Sequence, residues 1–220
     1  MQLFLDSAKT DEIAEAIGMW EIDGLTTNPR HIAASGKGRE TVLREIADLV
    51  AGTELPVSVE VDPHLTDWRH MVDAARRLAE ISPNFVIKVG ASEDGCRAVR
   101  ALTRDNIRTN VTLVFSVAQA WQAARVGATY ISPFIGWRET HGDDGLELIG
   151  DIVLMLNNYG YGSQVIAAAV RNSQHMALAA LAGAHCMTAG FAAIRDSFDH
   201  PYTDHGHRVF GEAWNSTPEV

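Results

Sequence analysis

The sequence predicts a (β/α)8 TIM barrel with an additional C-terminal helix. Eight short strand-like runs alternate with helical patterns from one end of the chain to the other. Short connections join them, which implies parallel βα units. Polar residues also collect at the carboxyl ends of the strand-like runs, the end at which barrels of this kind carry their chemistry. A doubly wound open sheet is the rival architecture. It normally shows a glycine-rich phosphate loop after an early strand, and neither GxGxxG nor a Walker pattern occurs here.

The strand-like runs, in order, are QLFLD (2–6), GLTTN (24–28), VSVEV (57–61), FVIKV (85–89), NVTLVF (110–115), TYISPF (129–134), QVIAAA (164–169) and HCMTA (185–189). Helical spacing recurs between them. Val42, Leu43, Ile46, Leu49 and Val50 form one stripe, and Trp68, Met71, Val72, Ala75, Leu78 and Ala79 form a second. Leu148, Ile149, Ile152, Val153 and Leu156 form a third. Thr10 and the pair Thr66-Asp67 read as helix-capping signals. The charged stretch from Gly136 to Gly145 reads as a long mobile flap. A single domain is expected over residues 1–220. Residues 200–220 would form a C-terminal extension, a short helix outside the barrel that packs on a neighbouring subunit. His205-Gly206-His207 reads as a solvated turn before that helix.

With 220 residues and 46% apolar content, the chain is long enough to fill one core. Nothing approaches the roughly 18–20 apolar residues that span a bilayer. The amino terminus lacks the basic region of a signal peptide. A net charge of −10 argues against nucleic acid and anionic membranes as partners. Two cysteines, Cys96 and Cys186, without CxxC spacing suit a reducing cytoplasm. Nine histidines invite a metal reading, but no strand end carries the His-x-His of a barrel hydrolase, so no metal and no cofactor is expected.

Lysine occurs three times against fifteen arginines, and one of the three, Lys88, lies inside the apolar run FVIKVG. Burying an ammonium without a partner is costly, so a lysine here implies a task. In a barrel, Asp6, Asn28, Glu60, Lys88, Thr112, Ser132 and Arg171 would converge on one mouth. Walls from Val86, Ile87 and Val89 would disfavour the cation. A half-buried amine of this kind suits attack on a ketone to form a Schiff base, whose iminium then draws electrons from a neighbouring C–C bond. Structural alternatives remain for each residue. Lys88 could form an ion pair, Asp6 with Ser7 could cap the first helix, and Asn28-Pro29 and Ser132-Pro133 could be turns. Glu60 needs a donor or a proton, and Asp62 is its candidate bridging partner.

LFLDSA (3–8), GLTTNP (24–29), SVEVDP (58–63), FVIKV (85–89), NVTLVFS (110–116) and YISPFIG (130–136) resemble, in order and spacing, the motifs of the transaldolase family. The likeness is strongest to its short members beside the fructose 6-phosphate aldolases. The resemblance implies that Lys88 forms the Schiff base and that Glu60 is the acid/base acting through a water held by Thr112. Asp6 would take the substrate hydroxyl proton as the C–C bond cleaves. Thr26, Asn28, Asn110 and Ser132 would hold substrate hydroxyls. Phe134 and Glu60 match transaldolases, where the aldolase branch has Tyr and Gln. The resemblance further implies a homo-oligomer, a pentamer or decamer with exchanged terminal helices. A ketose and an aldehyde would be its small-molecule substrates.

The chain departs from the family at the anion site. An expected Arg after the sixth strand is Trp137, followed by Arg138, and an expected Ser-x-Arg after the seventh reads Ala169-Val170-Arg171. TTNPS has become TTNPR, which puts Arg30 at the mouth. Arg30, Trp137 and Arg171 would suit the single permanent charge of a sulfonate, pointing to a sulfosugar such as 6-deoxy-6-sulfofructose. An ordinary sugar phosphate, with Arg138 swung in, is the alternative, as is simple fructose 6-phosphate cleavage. From a different class, a glycoside hydrolase using Asp6 and Glu60 would leave Lys88 without a task.

Overall fold

The strand-like runs close into a ring. The computed structural model describes residues 1–218. Its elements run β1 (Gln2–Asp6), α1 (Thr10–Trp20), β2 (Gly24–Thr26), α2 (Pro29–Ala34), α3 (Arg39–Leu49), β3 (Val57–Glu60), α4 (Trp68–Ala79), β4 (Phe85–Gly90), α5 (Glu93–Arg104) and β5 (Thr109–Val114). They continue with α6 (Val117–Arg125), β6 (Tyr130–Pro133), α7 (Ile135–Thr140), α8 (Gly145–Tyr159), β7 (Gln164–Val170), α9 (Ser173–Leu181), β8 (Cys186–Ala189), α10 (Phe191–Asp196) and α11 (Pro201–Asn215). The strands pair in sequence order as a closed barrel, and β1 completes it by pairing in parallel with β8. The open-sheet alternative is thereby excluded.

Strand alternation divides the apolar residues into two cores. Phe4, Val86, Tyr130, Ile166 and Cys186 form a cluster of their own inside the barrel, with Phe4 and Tyr130 meeting edge to face at 5.9 Å. Gly24 makes room for that layer, since a Cβ there would stand 2.6 Å from the Phe4 ring. Leu5, Leu25, Val59, Ile87, Val111 and Ile131 point outward and pack with the helices. The expected helical stripes supply much of that outer core, through Val42, Leu43 and Ile46 of α3, Met71, Val72, Ala75 and Leu78 of α4, and Leu148, Ile149, Ile152 and Leu156 of α8. Leu49 is the exception, lying on the surface.

Several local expectations are corrected. Asn28 does not extend β2; it caps α2, its side chain accepting from the His31 N–H at 3.0 Å, with Pro29 at the first helical position. Lys9, not Thr10, occupies the first cap position, without a side-chain hydrogen bond. Asp67 caps α4 as expected, accepting from the Arg69 N–H. The segment read as a flap contains a helix of its own, α7, joined to α8 through Asp144, which caps α8. His205-Gly206-His207 lies within α11, not before it, because His200 and Pro201 start that helix. The expected extension, 200–220, is described as far as residue 218, and its last two residues lie outside the described residues.

Candidate functional site

At the carboxyl end of the barrel the strands surround a cavity of about 590 Å³. Asp6, Thr26, Asn28, Arg30, Glu60, Lys88, Thr112, Ser132, Phe134, Trp137 and Arg171 all line it, so eleven of the twelve residues singled out in the sequence meet in one place. Asn110 is the twelfth, and it does not reach the cavity. It stands two residues before Thr112 on β5, therefore a layer deeper on the same face. There it donates to the Ser58 hydroxyl at 3.0 Å and accepts from the Ser132 hydroxyl at 2.8 Å. Its place is to hold Ser132.

Lys88 is 3% exposed and sits across from Glu60 in the β3–β4 register. Its Nζ donates to the Thr27 carbonyl at 2.9 Å and lies 3.6 Å from Glu60 Oε2. The apolar walls differ from those expected. Ile87 and Val89 face the helices, as alternation requires, and of the three named residues Val86 alone belongs to the inner cluster on Lys88's side. Asp62 is not a bridging partner of Glu60; it binds the His64 backbone and ring at the surface. Asp6 and Ser7 do not hold the cap position of α1, which is Lys9; the Ser7 hydroxyl accepts from the Lys9 N–H at 3.1 Å and donates to Glu12 at 2.6 Å.

The two carboxyl groups are pushed in opposite directions. For Asp6, burial works against the charge. The His31 ring, the Lys88 amine and the Thr26 hydroxyl overcome it and hold the acid below the usual carboxylate range. For Glu60, burial dominates over the attraction of Lys88 and raises the acid above that range. Shifts in opposite directions separate the two carboxyl groups in acidity, the arrangement that assigns base and acid roles to a pair. A stability consequence follows from linkage. A raised folded-state pKa favours the fold below the ordinary carboxylate range, and that contribution is lost as pH rises through the raised value. Glu60→Gln removes this loss. It is expected to raise the melting temperature relative to the unsubstituted protein at pH 8, and the gain should shrink towards pH 4. Equal shifts at both pH values would contradict the burial account.

The hydroxyl of Thr112 is buried and, among the described residues, has no hydrogen-bond partner. Buried hydroxyls are normally satisfied, so this one is available to a ligand or water at the cavity wall. Leu113, next to it, adopts φ 57° where the β5–β6 register shifts, and Ala169 adopts φ 59° where the β7–β8 register shifts. Left-handed backbone at a non-glycine residue is costly, and bulges of this kind re-aim side chains at barrel rims.

The second bulge builds the wall that carries Trp137 and Arg171. A Cβ on Gly136 would lie 2.5 Å from the Ala169 carbonyl and 2.9 Å from Arg171 Nε, so a glycine is needed for α7 to lie against the bulge. Arg171 Nη1 donates to the Thr140 hydroxyl at 3.2 Å. His175 on α9 meets Glu139 of α7 at 2.8 Å. Trp137 projects beside Phe115 and Phe134, with ring centroids 6.2 and 5.3 Å away. Arg138 turns away from the cavity to Asp143 at 3.7 Å. Arg30, Arg171 and Trp137 therefore line the same cavity, and Arg138 does not.

Two polar lining residues escaped the sequence reading, His31 and Thr188. His31 Nε2 is 3.2 Å from Asp6 Oδ2, and the Thr188 hydroxyl is 2.6 Å from that of Thr26. Thr188 carried a legible signal, a polar residue near the end of an apolar strand. Among the described residues, no three His, Cys, Asp or Glu side chains gather as a metal site, and no helix is long and apolar enough to cross a membrane.

Comparison with known proteins is consistent with this geometry. The family model "Transaldolase/Fructose-6-phosphate aldolase" matches residues 3–217. The chain is 48% identical over 218 residues to the "6-deoxy-6-sulfo-D-fructose transaldolase" of Priestia aryabhattai, covering 99% of this chain and 96% of that one. The protein of the same name from Priestia megaterium gives the same values. A "Probable transaldolase" of Caulobacter vibrioides is 45% identical over 217 residues, covering 99% of this chain and 98% of that one.

Proposed function

Since the chain belongs to the transaldolase/fructose-6-phosphate aldolase family, we propose that it is a Schiff-base transaldolase that moves a dihydroxyacetone unit from an anionic ketose to an aldehyde. The observation that carries this is the nearly inaccessible Lys88 amine at the cavity wall, 3.6 Å from an acid raised by burial and sharing its cavity with a carboxylate held ionised. The neutral amine attacks the ketone carbon to give a carbinolamine. Glu60, through a water on the Thr112 hydroxyl, supplies the proton with which the carbinolamine oxygen leaves as water. In the iminium, Asp6 takes the proton of the substrate hydroxyl. The adjacent C–C bond breaks, an aldehyde leaves, and the electron pair settles in an enamine. Phe134 offers no phenol to protonate that enamine, which favours waiting for an acceptor aldehyde. Addition then runs the same steps in reverse. Asn28 spends its Oδ1 on the His31 cap, which leaves its Nδ2 for a substrate oxygen.

The favoured donor is a sulfosugar, 6-deoxy-6-sulfofructose. A phosphate monoester carries about −1.5 to −2 charge at pH 7 and rewards several cations. A sulfonate carries one charge and three acceptor oxygens, matched here by Arg30, Arg171 and the Trp137 N–H, with Arg138 engaged elsewhere. The names of the Priestia relatives support the same choice. Steady-state kinetics with both fructose derivatives tests it. The sulfonate is expected to be preferred by about a hundredfold in kcat/KM, roughly 2.7 kcal/mol. A hundredfold preference for fructose 6-phosphate would overturn it.

α11 buries none of its residues, and Tyr202, Phe210 and Trp214 are 80%, 75% and 81% exposed. So much aromatic surface on one helix marks a contact face. We assign it to a second copy of the chain, in a pentamer or decamer. Sedimentation should show an assembly, and a monomer at micromolar concentration would contradict this. Two free cysteines, one of them the buried Cys186 whose thiol is pushed up to about 12, accord with a reducing cytoplasm.

A further inference from the structure

We infer that His31 is the positioning residue for proton transfer at Asp6, an inference that rests on the Schiff-base reading above. The local sequence puts it there. Asn28 is extended and caps α2, Pro29 opens the helix, and the Asn28 Oδ1 holds the His31 N–H at 3.0 Å. The third helical residue is thereby turned over the end of β1. Its Nε2 meets Asp6 Oδ2 at 3.2 Å, while the other oxygen, Oδ1, accepts from the Thr26 hydroxyl at 2.8 Å. Thr26 is in turn fixed by Thr188 at 2.6 Å. A hydroxyl donor from the barrel wall faces one carboxylate oxygen and an imidazole nitrogen from the helix above it faces the other, so the carboxylate is flanked on both sides.

This clamp answers a demand peculiar to group transfer. In the cleavage half, the substrate O–H gives its proton to Asp6 as the C–C bond breaks and the released carbonyl forms. The bonding pair becomes the enamine C=C, and the former C=N π pair becomes the lone pair on nitrogen. In the second half, a different aldehyde adds to the enamine carbon, and its oxygen takes the proton back from Asp6. The same carboxyl lone pair must therefore face two different partners in succession, with an exchange of aldehydes between them. A carboxylate free to rotate would lose that aim, and a misplacement of about 1 Å costs on the order of 10²-fold in rate. His31 makes no bond to the reacting atoms in this account. It holds the base that does.

Mass spectrometry after a mildly acidic quench with cyanoborohydride distinguishes this role from a merely structural one, because the quench protonates the three-carbon enamine to its iminium, and the reduced whole-ketose and three-carbon adducts on Lys88 differ in mass. The unsubstituted enzyme, His31→Leu and His31→Gln are each mixed with 6-deoxy-6-sulfofructose, and separately with fructose 6-phosphate, then quenched at early times. In His31→Leu, the whole-ketose adduct should form at the usual rate and accumulate, while C–C cleavage slows roughly tenfold to a hundredfold. His31→Gln keeps an N–H donor and should recover most of the loss. An unchanged ratio of the two adducts in His31→Leu would overturn the inference. So would a parallel fall of both adducts, or a Gln variant no better than Leu. Absence of any Lys88 adduct in the unsubstituted enzyme would instead overturn the Schiff-base reading beneath it.

Discussion

Replacing Lys88 with methionine is expected to lower turnover by at least about 10⁴-fold, because the substitution removes the nucleophile while leaving the cavity's shape nearly intact. Methionine is unbranched like lysine and can lie along the same path above Val86 in the inner cluster. The fold should tolerate it. Lys88 is 3% exposed, and removing one member of a buried pair is costly only where it leaves the other charged; a buried carboxyl that takes up a proton escapes that cost. Glu60, already raised above the usual range by burial, is such a carboxyl. Single-turnover assays and thermal melting together check this. The expected outcome is a melting temperature near that of the unsubstituted protein with no measurable aldehyde release. Retention of turnover would remove Lys88 from the chemistry and return the glycoside-hydrolase class, which needs only Asp6 and Glu60.

Asp6→Asn should be the second-largest effect, a loss of about 10²–10⁴-fold confined to the C–C bond step. Asparagine has the shape of aspartate, and its carbonyl oxygen can still accept a hydrogen bond from Thr26 or His31. It lacks the capacity to take a proton. In the mechanism proposed above, carbinolamine formation and dehydration fall to Glu60 and a water on Thr112, so they should proceed. The whole-ketose adduct is then expected to accumulate on Lys88, detectable by intact-protein mass spectrometry after reduction. If the variant instead failed to form any adduct, Asp6 would have to act earlier, in capture of the ketone. The opposite shifts of Asp6 and Glu60 accord with the division of labour proposed above, Asp6 being lowered towards the base's role and Glu60 raised towards the acid's.

Much of the site was legible in the sequence for a simple physical reason. In a barrel, a polar residue near the carboxyl end of an otherwise apolar strand has one destination, the mouth, and period-two alternation decides whether it faces inward. Asp6, Thr26, Glu60, Lys88, Thr112 and Ser132 obey this and meet at the cavity. Asn110 obeys the alternation too, but a layer too deep, because residue spacing does not reveal the stagger between strands. His31 was not legible. It reaches Asp6 from a short helix whose angle depends on the Asn28 cap. The helix α7 was hidden by Gly136 and the charged run that follows, which break its apolar periodicity. It is held by packing against the Ala169 bulge and by the His175–Glu139 pair. Neither bulge announces itself, since Leu113 and Ala169 are poor choices for a left-handed backbone and owe it to the register shifts around them.

The most direct test of the whole account is to reduce the enzyme with borohydride in the presence of 6-deoxy-6-sulfofructose and map the modified peptide. The account predicts a reduced three-carbon adduct on the peptide containing FVIKVG, at Lys88, with Lys9 and Lys37 unmodified. A protein that consumes the ketose yet yields no adduct at Lys88 would contradict it.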